Sequence, residues 1–261
     1  MRTCSLSMML TLGLALPLLG SPGCGAAEKP ARTAPAPAAK AAPAPAAEAT
    51  PAPSPADKEE RFDLIVRDDF FAGLLEQDSA ALDRAMKVCE DTLARDPNHP
   101  EAMVWHGGGL IMKAGNAFRA GDRATGGKLW TQGLAEMDRA VEIAPESIGT
   151  RIPRGAVLLA VAGFAPEPHR TSLLDKALSD YEKVLALQKD EFDQLSVHAR
   201  SQLLYGLADG WHRRGDKTRA RGYYERLGQV AGDSAYGKRA RAYLAGDTRP
   251  RQMACGGCHA E

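Results

Sequence analysis

The chain has 261 residues, with 33 basic and 33 acidic side chains, 44% hydrophobic and 6% aromatic residues, and five cysteines. A formal charge of zero argues against a protein built to coat nucleic acid, the sparse cysteine excludes a small disulfide-stapled domain, and the composition excludes a polytopic membrane protein. These averages join two unlike regions: ten of the 17 prolines precede residue 57, and the remainder is long enough for a core of ordinary size.

Near the start, Arg2 is followed by an apolar run from Met8 to Leu19 and then by the small residues of Gly20-Ser-Pro-Gly-Cys24-Gly-Ala-Ala27. As a helix the run reaches only about 18 Å, well short of a bilayer core of about 30 Å, so residues 1–23 read as a signal peptide and imply export to the periplasm. Gly23-Cys24 resembles the acylation site of bacterial lipoproteins, which implies lipidation of Cys24 and anchoring to the membrane. Ser21-Pro22 depart from that family's Leu-plus-small pattern, and the alternative is ordinary cleavage near Ala26 with Cys24 incidental. Cys4 falls in the discarded peptide in either case.

Residues 24–56 form an Ala/Pro-rich segment in which 15 Ala and 8 Pro occupy 23 of the 31 positions from Ala26 to Ala56. Such a stretch cannot bury enough apolar area to offset its ordering entropy, and its Ala-Pro steps favour extended polyproline II. It is expected to be a disordered, semi-rigid linker.

From residue 57 to 245 the chain is rich in Ala, Leu, Glu, Arg and Lys, and it lacks alternating β-branched runs, so an all-α body is expected. Within Leu204 to Tyr224, a large apolar residue (Leu204), Leu207 with Ala208, an aromatic (Trp211), a turn glycine (Gly215), Ala220 and Tyr224 fall in a fixed order. This segment resembles a tetratricopeptide (TPR) repeat. The second-helix part of the pattern recurs upstream as Ala85, Cys89 and Pro97, as Gly133, Met137 and Pro145, and as Ala177, Tyr181 and Lys189. Gly232 takes the last of these places in the final repeat.

The anchors lie 48, 44 and 43 residues apart, longer than the family's 34, so lengthened helices or loops are expected around Gly115 to Gly127 and Phe164 to His169. The resemblance implies stacked antiparallel helical hairpins, a TPR-like α-solenoid of four hairpins with a concave face that binds a protein partner. A capping helix from about 234 to 244 is expected, with Asp233 or Ser234 as N-cap.

Other features of this body point to packing. Trp105-His106-Gly-Gly-Gly109 has neither a preceding strand nor a following Lys-Ser/Thr, so it fits close helix contact better than a phosphate loop. His99, His169, His198 and His212 show no metal-ligand spacing, Cys89 should be an inert buried thiol, and no catalytic constellation stands out. Charge is uneven: residues 57–199 carry 17 basic and 25 acidic side chains, whereas residues 200–251 carry 12 and 5. That basic end is either a solvated helix face or a surface for an acidic partner, anionic lipid or cofactor propionates.

The tail, residues 246–261, contains Cys255-Gly-Gly-Cys258-His259. This resembles the attachment signature of c-type haem, which implies one covalent haem on Cys255 and Cys258 with His259 as an axial iron ligand. Covalent haem attachment takes place outside the cytoplasm, in agreement with the signal peptide. The motif's rivals are a redox dithiol, a zinc site completed by another residue, and a simple disulfide. Only Ala260 and Glu261 follow His259, so the segments that usually enclose such a haem are missing, and His212, Met112 or a partner residue are the candidates for the sixth ligand, with an open position as the alternative. Gly246 to Pro250 reads as a flexible connection. The resulting expectation is an exported TPR-like scaffold that carries one haem and passes electrons to a docked redox partner. The competing expectation is an envelope adaptor without haem, its tail binding metal or forming a disulfide.

Overall fold

Most helices in this chain start where a polar side chain can take the amide protons left open by a first helical turn. The computed structural model describes residues 61–249, all within a unit spanning Ala52–Glu261. The signal peptide, Cys24, the linker to residue 56 and the Cys255–His259 motif lie outside the described residues. Among the described residues there are nine α-helices and no strand: α1 (Phe62–Phe71), α2 (Ser79–Arg95), α3 (Pro100–Arg119), α4 (Arg123–Ile143), α5 (Ile148–Ala162), α6 (His169–Leu187), α7 (Val197–Arg214), α8 (Lys217–Val230) and α9 (Ala235–Leu244).

Side chains of Asp78, His99, Asp122, Ser147, Ser196, Asp216 and Ser234 accept the capping bonds of α2, α3, α4, α5, α7, α8 and α9. His99 does so through Nδ1, 3.1 Å from the amide of Ala102, with Pro100 filling the position whose N–H needs no partner. The expected capping helix is therefore present, with Ser234 as its cap.

Each helix packs on its sequence neighbour: α1 with α2, α3 with α4, α5 with α6 and α7 with α8. These pairs then join, since α2 lies on α3, α6 on α7 and α8 on α9, while α1, α3, α5, α7 and α9 also touch one another in succession. The four small residues Ala85, Gly133, Ala177 and Ala220 are buried, as are Cys89, Met137, Tyr181 and Tyr224 one turn further on. A small residue followed by a larger one at i+4 lets neighbouring helices approach and then fills the space beside the contact.

The closest approach is between α3 and α4. A Cβ on Gly107 would sit 2.7 Å from the carbonyl oxygen of Gly133, and a Cβ on Gly133 would sit 2.6 Å from that of Gly107. The Trp105–Gly109 stretch is thus mid-helix and serves packing. Between α5 and α7, the Tyr181 ring occupies slots left by Gly155 and Gly206, where added Cβ atoms would meet it.

One ionic feature crosses the interior. Asp180 on α6 is fully buried and accepts from Arg154 Nε (2.7 Å), Arg154 Nη2 (2.8 Å) and Arg151 Nη1 (2.7 Å). Arg154 also donates to Asp138 on α4 at 3.0 Å, and Asp138 in turn pairs with Lys176. Three helices are tied through one buried carboxylate whose oxygens are all used, the condition under which a buried charge is tolerated.

The long spacings between these anchor residues have two origins. Between α3 and α4 the extra length is helix, for Gly115 lies inside α3 and Gly126 and Gly127 inside α4, with only Ala120 to Asp122 between them. Gly121 takes φ +84°, a left-handed turn that L side chains resist. Between α5 and α6 the extra length is loop, residues 163–168.

Candidate functional site

The end of the body that adjoins the Cys255–His259 motif in sequence is built by α7, α8 and α9. Gly215, at φ +93°, turns the chain sharply out of α7, and Asp216, the next residue, caps α8. The C-terminal turn of α7 and the C-terminal turn of α9 come together, placing the His212 ring 5.1 Å from that of Tyr243 at an interplanar angle of 80°. His212 Nδ1 lies 3.3 Å from the Tyr243 hydroxyl, and Tyr243 stacks on the buried Tyr224 with ring centres 3.9 Å apart.

Arg239 closes this group. It is 3% exposed, lies 5.8 Å and 5.9 Å from the ring centres of Tyr224 and Tyr243, and donates to the carbonyl oxygens of Asp247 (2.8 Å) and Arg249 (2.7 Å). The backbone just after α9 is therefore hydrogen-bonded back onto the helices as far as Arg249. A buried guanidinium needs acceptors for its planar set of donors, and the outgoing backbone supplies them to Nη1 and Nη2. Asp247 also takes two bonds from Arg249, at 2.8 and 2.9 Å.

Beneath this surface, Asp209 is fully buried, with Arg213 Nη2 2.7 Å from its Oδ2. Neither carboxylate oxygen receives a well-directed hydrogen bond, and burial outweighs the nearby Arg213 charge, so the carboxyl is held above its ordinary range. Burial likewise pushes the Tyr205 and Tyr224 hydroxyls up, with Asp209 adding to the shift of each.

The basic excess of this end is partly neutralised on the spot. Asp209, Asp216, Glu225, Asp233 and Asp247 pair with Arg213, Arg219, Arg221, Arg241 and Arg249, while Arg214 reaches Asp175 on α6. Trp211 packs half-buried against the core, with the Arg219 guanidinium of α8 4.2 Å over its ring.

The other candidates lie apart. Met112 packs against the core from α3, an element away from α7 and α9. His106 Nδ1 is 2.6 Å from Glu136 Oε2, His169 begins α6 and is exposed, and His198 contacts Tyr236. Cys89 is 1% exposed, and burial pushes its thiol up to about 12, as befits an inert packing residue. Among the described residues no group of three metal-ligating side chains occurs, and no helix is long and apolar enough to cross a membrane. A surface depression beside Arg154, Thr171, Ser172 and Lys176 has its cations already paired with Asp180 and Asp138.

Arg239 and Tyr243 were not singled out in the sequence, although a signal was there. Tyr236, Ala240 and Tyr243 recur at helical spacing as the buried stripe of α9, and Arg239 falls inside that stripe. A charge at such a position must be hydrogen-bonded to something.

Toward the haem that the tail motif would imply, this end of the body offers an imidazole with one nitrogen hydrogen-bonded and flanking aromatic rings, while Arg213, Arg214, Arg219, Arg221, Arg241 and Arg249 are already paired with carboxylates. No family model, curated protein or solved structure matches the chain.

Proposed function

We propose that this chain is an exported, TPR-like scaffold that carries one c-type haem on its tail and exchanges electrons with a docked redox partner. The observation that carries this reading is Cys255-Gly-Gly-Cys258-His259, a motif expected by chance in about 0.2% of chains of this composition. Cys255 and Cys258 would hold the porphyrin as thioethers and His259 would bind the iron. Such a group supplies reversible one-electron chemistry.

The reading draws further support from both ends of the chain. The apolar run from Met8 to Leu19 directs the protein to the compartment where covalent haem attachment occurs, and acylation of Cys24 would tether it to a membrane surface through the Ala/Pro-rich linker. The helical body supports a scaffold role: recurring small-then-large pairs join consecutive helices, an arrangement that in TPR-like stacks leaves one face for a protein partner. No residue of the body is assigned a catalytic step.

Expression of the full chain with a haem-maturation system tests the reading. Pyridine haemochrome spectra should show one covalent haem per chain in the wild type and loss of the two-thioether spectrum in Cys258→Ala. A wild type exported without covalent haem would sink it and leave the adaptor reading. In that case deletion of residues 252–261 should leave the set of bound envelope proteins unchanged.

A further inference from the structure

We propose that the exposed side of α5 is a contact surface between two copies of this chain, which pair as a two-fold dimer with Ala156 near the axis. The inference concerns the helical body alone and does not depend on the haem reading. Three observations carry it.

The first is a helix side that lacks the polar residues solvent favours. Arg154, Leu158, Leu159 and Ala162 bury one side of α5. The opposite side runs through Ile148, Ile152, Ala156, Ala160 and Phe164, none of them buried and none polar. The two charged residues of this helix, Arg151 and Arg154, both turn to Asp180. Phe164 is 81% exposed, more than any other large apolar residue described, and Ile148 is 39% exposed. The Phe164 backbone is nonetheless fixed. Gly163 keeps α-helical angles, the Phe164 amide donates to the Val161 carbonyl at 3.0 Å, and the next residue, Ala165, is buried, its carbonyl accepting from Arg170 Nε at 3.2 Å. An aromatic ring presented to solvent on a held backbone loses little freedom on binding.

The second is that this row matches itself. Ile148 and Phe164 each lie eight residues from Ala156, in opposite directions, and Ile152 and Ala160 each lie four residues from it. A two-fold axis near Ala156 exchanges these positions. It sets Ile148 of one copy against Phe164 of the other and the bulky Ile152 against the small Ala160, each twice over. A methyl group at the axis lets the two backbones approach.

The third is charge. The Glu101 carboxylate lies where a Cβ on Gly149 would be, and Arg213 Nη1 lies 3.7 Å from where a Cβ on Gly163 would be. Gly149 and Gly163 are each seven residues from Ala156, so the same axis places the acidic end of one row beside the basic end of the other. Arg213 stays committed to Asp209 and to the Leu159 carbonyl, so no new salt bridge is required of it. Self-pairing simply brings no like charges together, which is the condition an apolar contact needs. Because α5 spans 15 residues, about 22 Å, the contact falls at the small end of specific interfaces, and the dimer is reversible.

The test follows the full chain by sedimentation velocity from low micromolar to near-millimolar concentration. The wild type should pass from monomer to dimer, at similar concentrations in low and high salt. Ala156→Glu sets two carboxylates together at the axis and Phe164→Ser removes the exposed ring; each should weaken the dimer by about tenfold or more, with far-UV circular dichroism unchanged. Val197→Ser, at an exposed apolar residue of α7, should leave dimerisation as it is. A benzophenone cross-linker placed at position 164, in a mixture of isotopically light and heavy chains, should join light to heavy chains near Ile148. A wild type that stays monomeric throughout, a dimer that both α5 substitutions leave intact, or cross-links between chains to any other element overturns the proposal. Cross-links within one chain, or in intact cells to a different protein, would give the face to that occupant and overturn it as well.

Discussion

The contact between α3 and α4 makes a quantitative test of the packing, because two glycines in one helix have opposite surroundings. In Gly133→Ala the new Cβ would lie 2.6 Å from the Gly107 carbonyl oxygen and 3.0 Å from Ile111 Cγ1, inside the about 3.5 Å at which non-bonded atoms rest comfortably. One of these neighbours is backbone, so the helices must separate locally, an overpacking cost of about 1–3 kcal/mol. Against it stands the gain of about 1 kcal/mol from replacing a mid-helix glycine by alanine. A net loss of about 1 kcal/mol is expected. At Gly127, in the same helix, an added Cβ meets nothing within 4 Å, so only the gain of about 0.5–1 kcal/mol applies.

The two alanine variants should therefore differ by about 2 kcal/mol, or about 4–8 °C in Tm for a domain of this size. Urea and thermal unfolding of the full chain followed by circular dichroism would measure it. Gly107→Ala combined with Gly133→Ala should cost less than the sum of the singles, since the first Cβ already parts the helices. A Gly133→Ala protein as stable as Gly127→Ala would refute the close-contact argument.

Three further outcomes follow from buried groups. Asp180→Ala leaves Arg151 and Arg154 without their shared carboxylate and should cost about 3–5 kcal/mol, seen as a lower urea midpoint with an unchanged slope. The Cys89 thiol, pushed up to about 12 by burial, should resist alkylation at pH 8 in the folded chain and react on unfolding, as peptide mapping by mass spectrometry would read; rapid labelling of the native protein would contradict this. Asp209 has its folded pKa raised above the unfolded value, so the native state keeps the proton longer and this group lowers stability as pH rises from the unfolded value through the folded one. Relative to Asp209→Asn, the wild type should lose stability as pH rises above the ordinary aspartate range; a constant or opposite difference in urea unfolding would remove the assigned cause.

Much of the helical body could be read from residue order. The pairs Ala85 and Cys89, Gly133 and Met137, Ala177 and Tyr181, and Ala220 and Tyr224 mark second helices because small and large residues one turn apart meet the same neighbour. Ser234 announced α9 because its hydroxyl can reach a first-turn amide. Periodicity does not weigh a cap against a loop: the stretch from Gly115 to Gly127 contains four glycines and still continues two helices, since Asp122 restarts the helix after a single left-handed residue. Long-range polar partners were beyond reach as well. Nothing local to Arg239 says that its guanidinium binds carbonyls eight and ten residues ahead, and nothing local to Trp211 places Arg219 over its ring. The Cys255–His259 motif is visible as spacing alone and lies outside the described residues.

The bonds from Arg239 to the Asp247 and Arg249 carbonyls also set a concentration. The covalent chain continues from Arg249, so any group bound at positions 255–259 is tethered to this anchored residue, and a short flexible tether holds two groups at an effective concentration on the order of millimolar, however dilute the protein. A cut between Arg249 and Cys255 would remove that tether, and any encounter between such a group and the last helices would then depend on concentration.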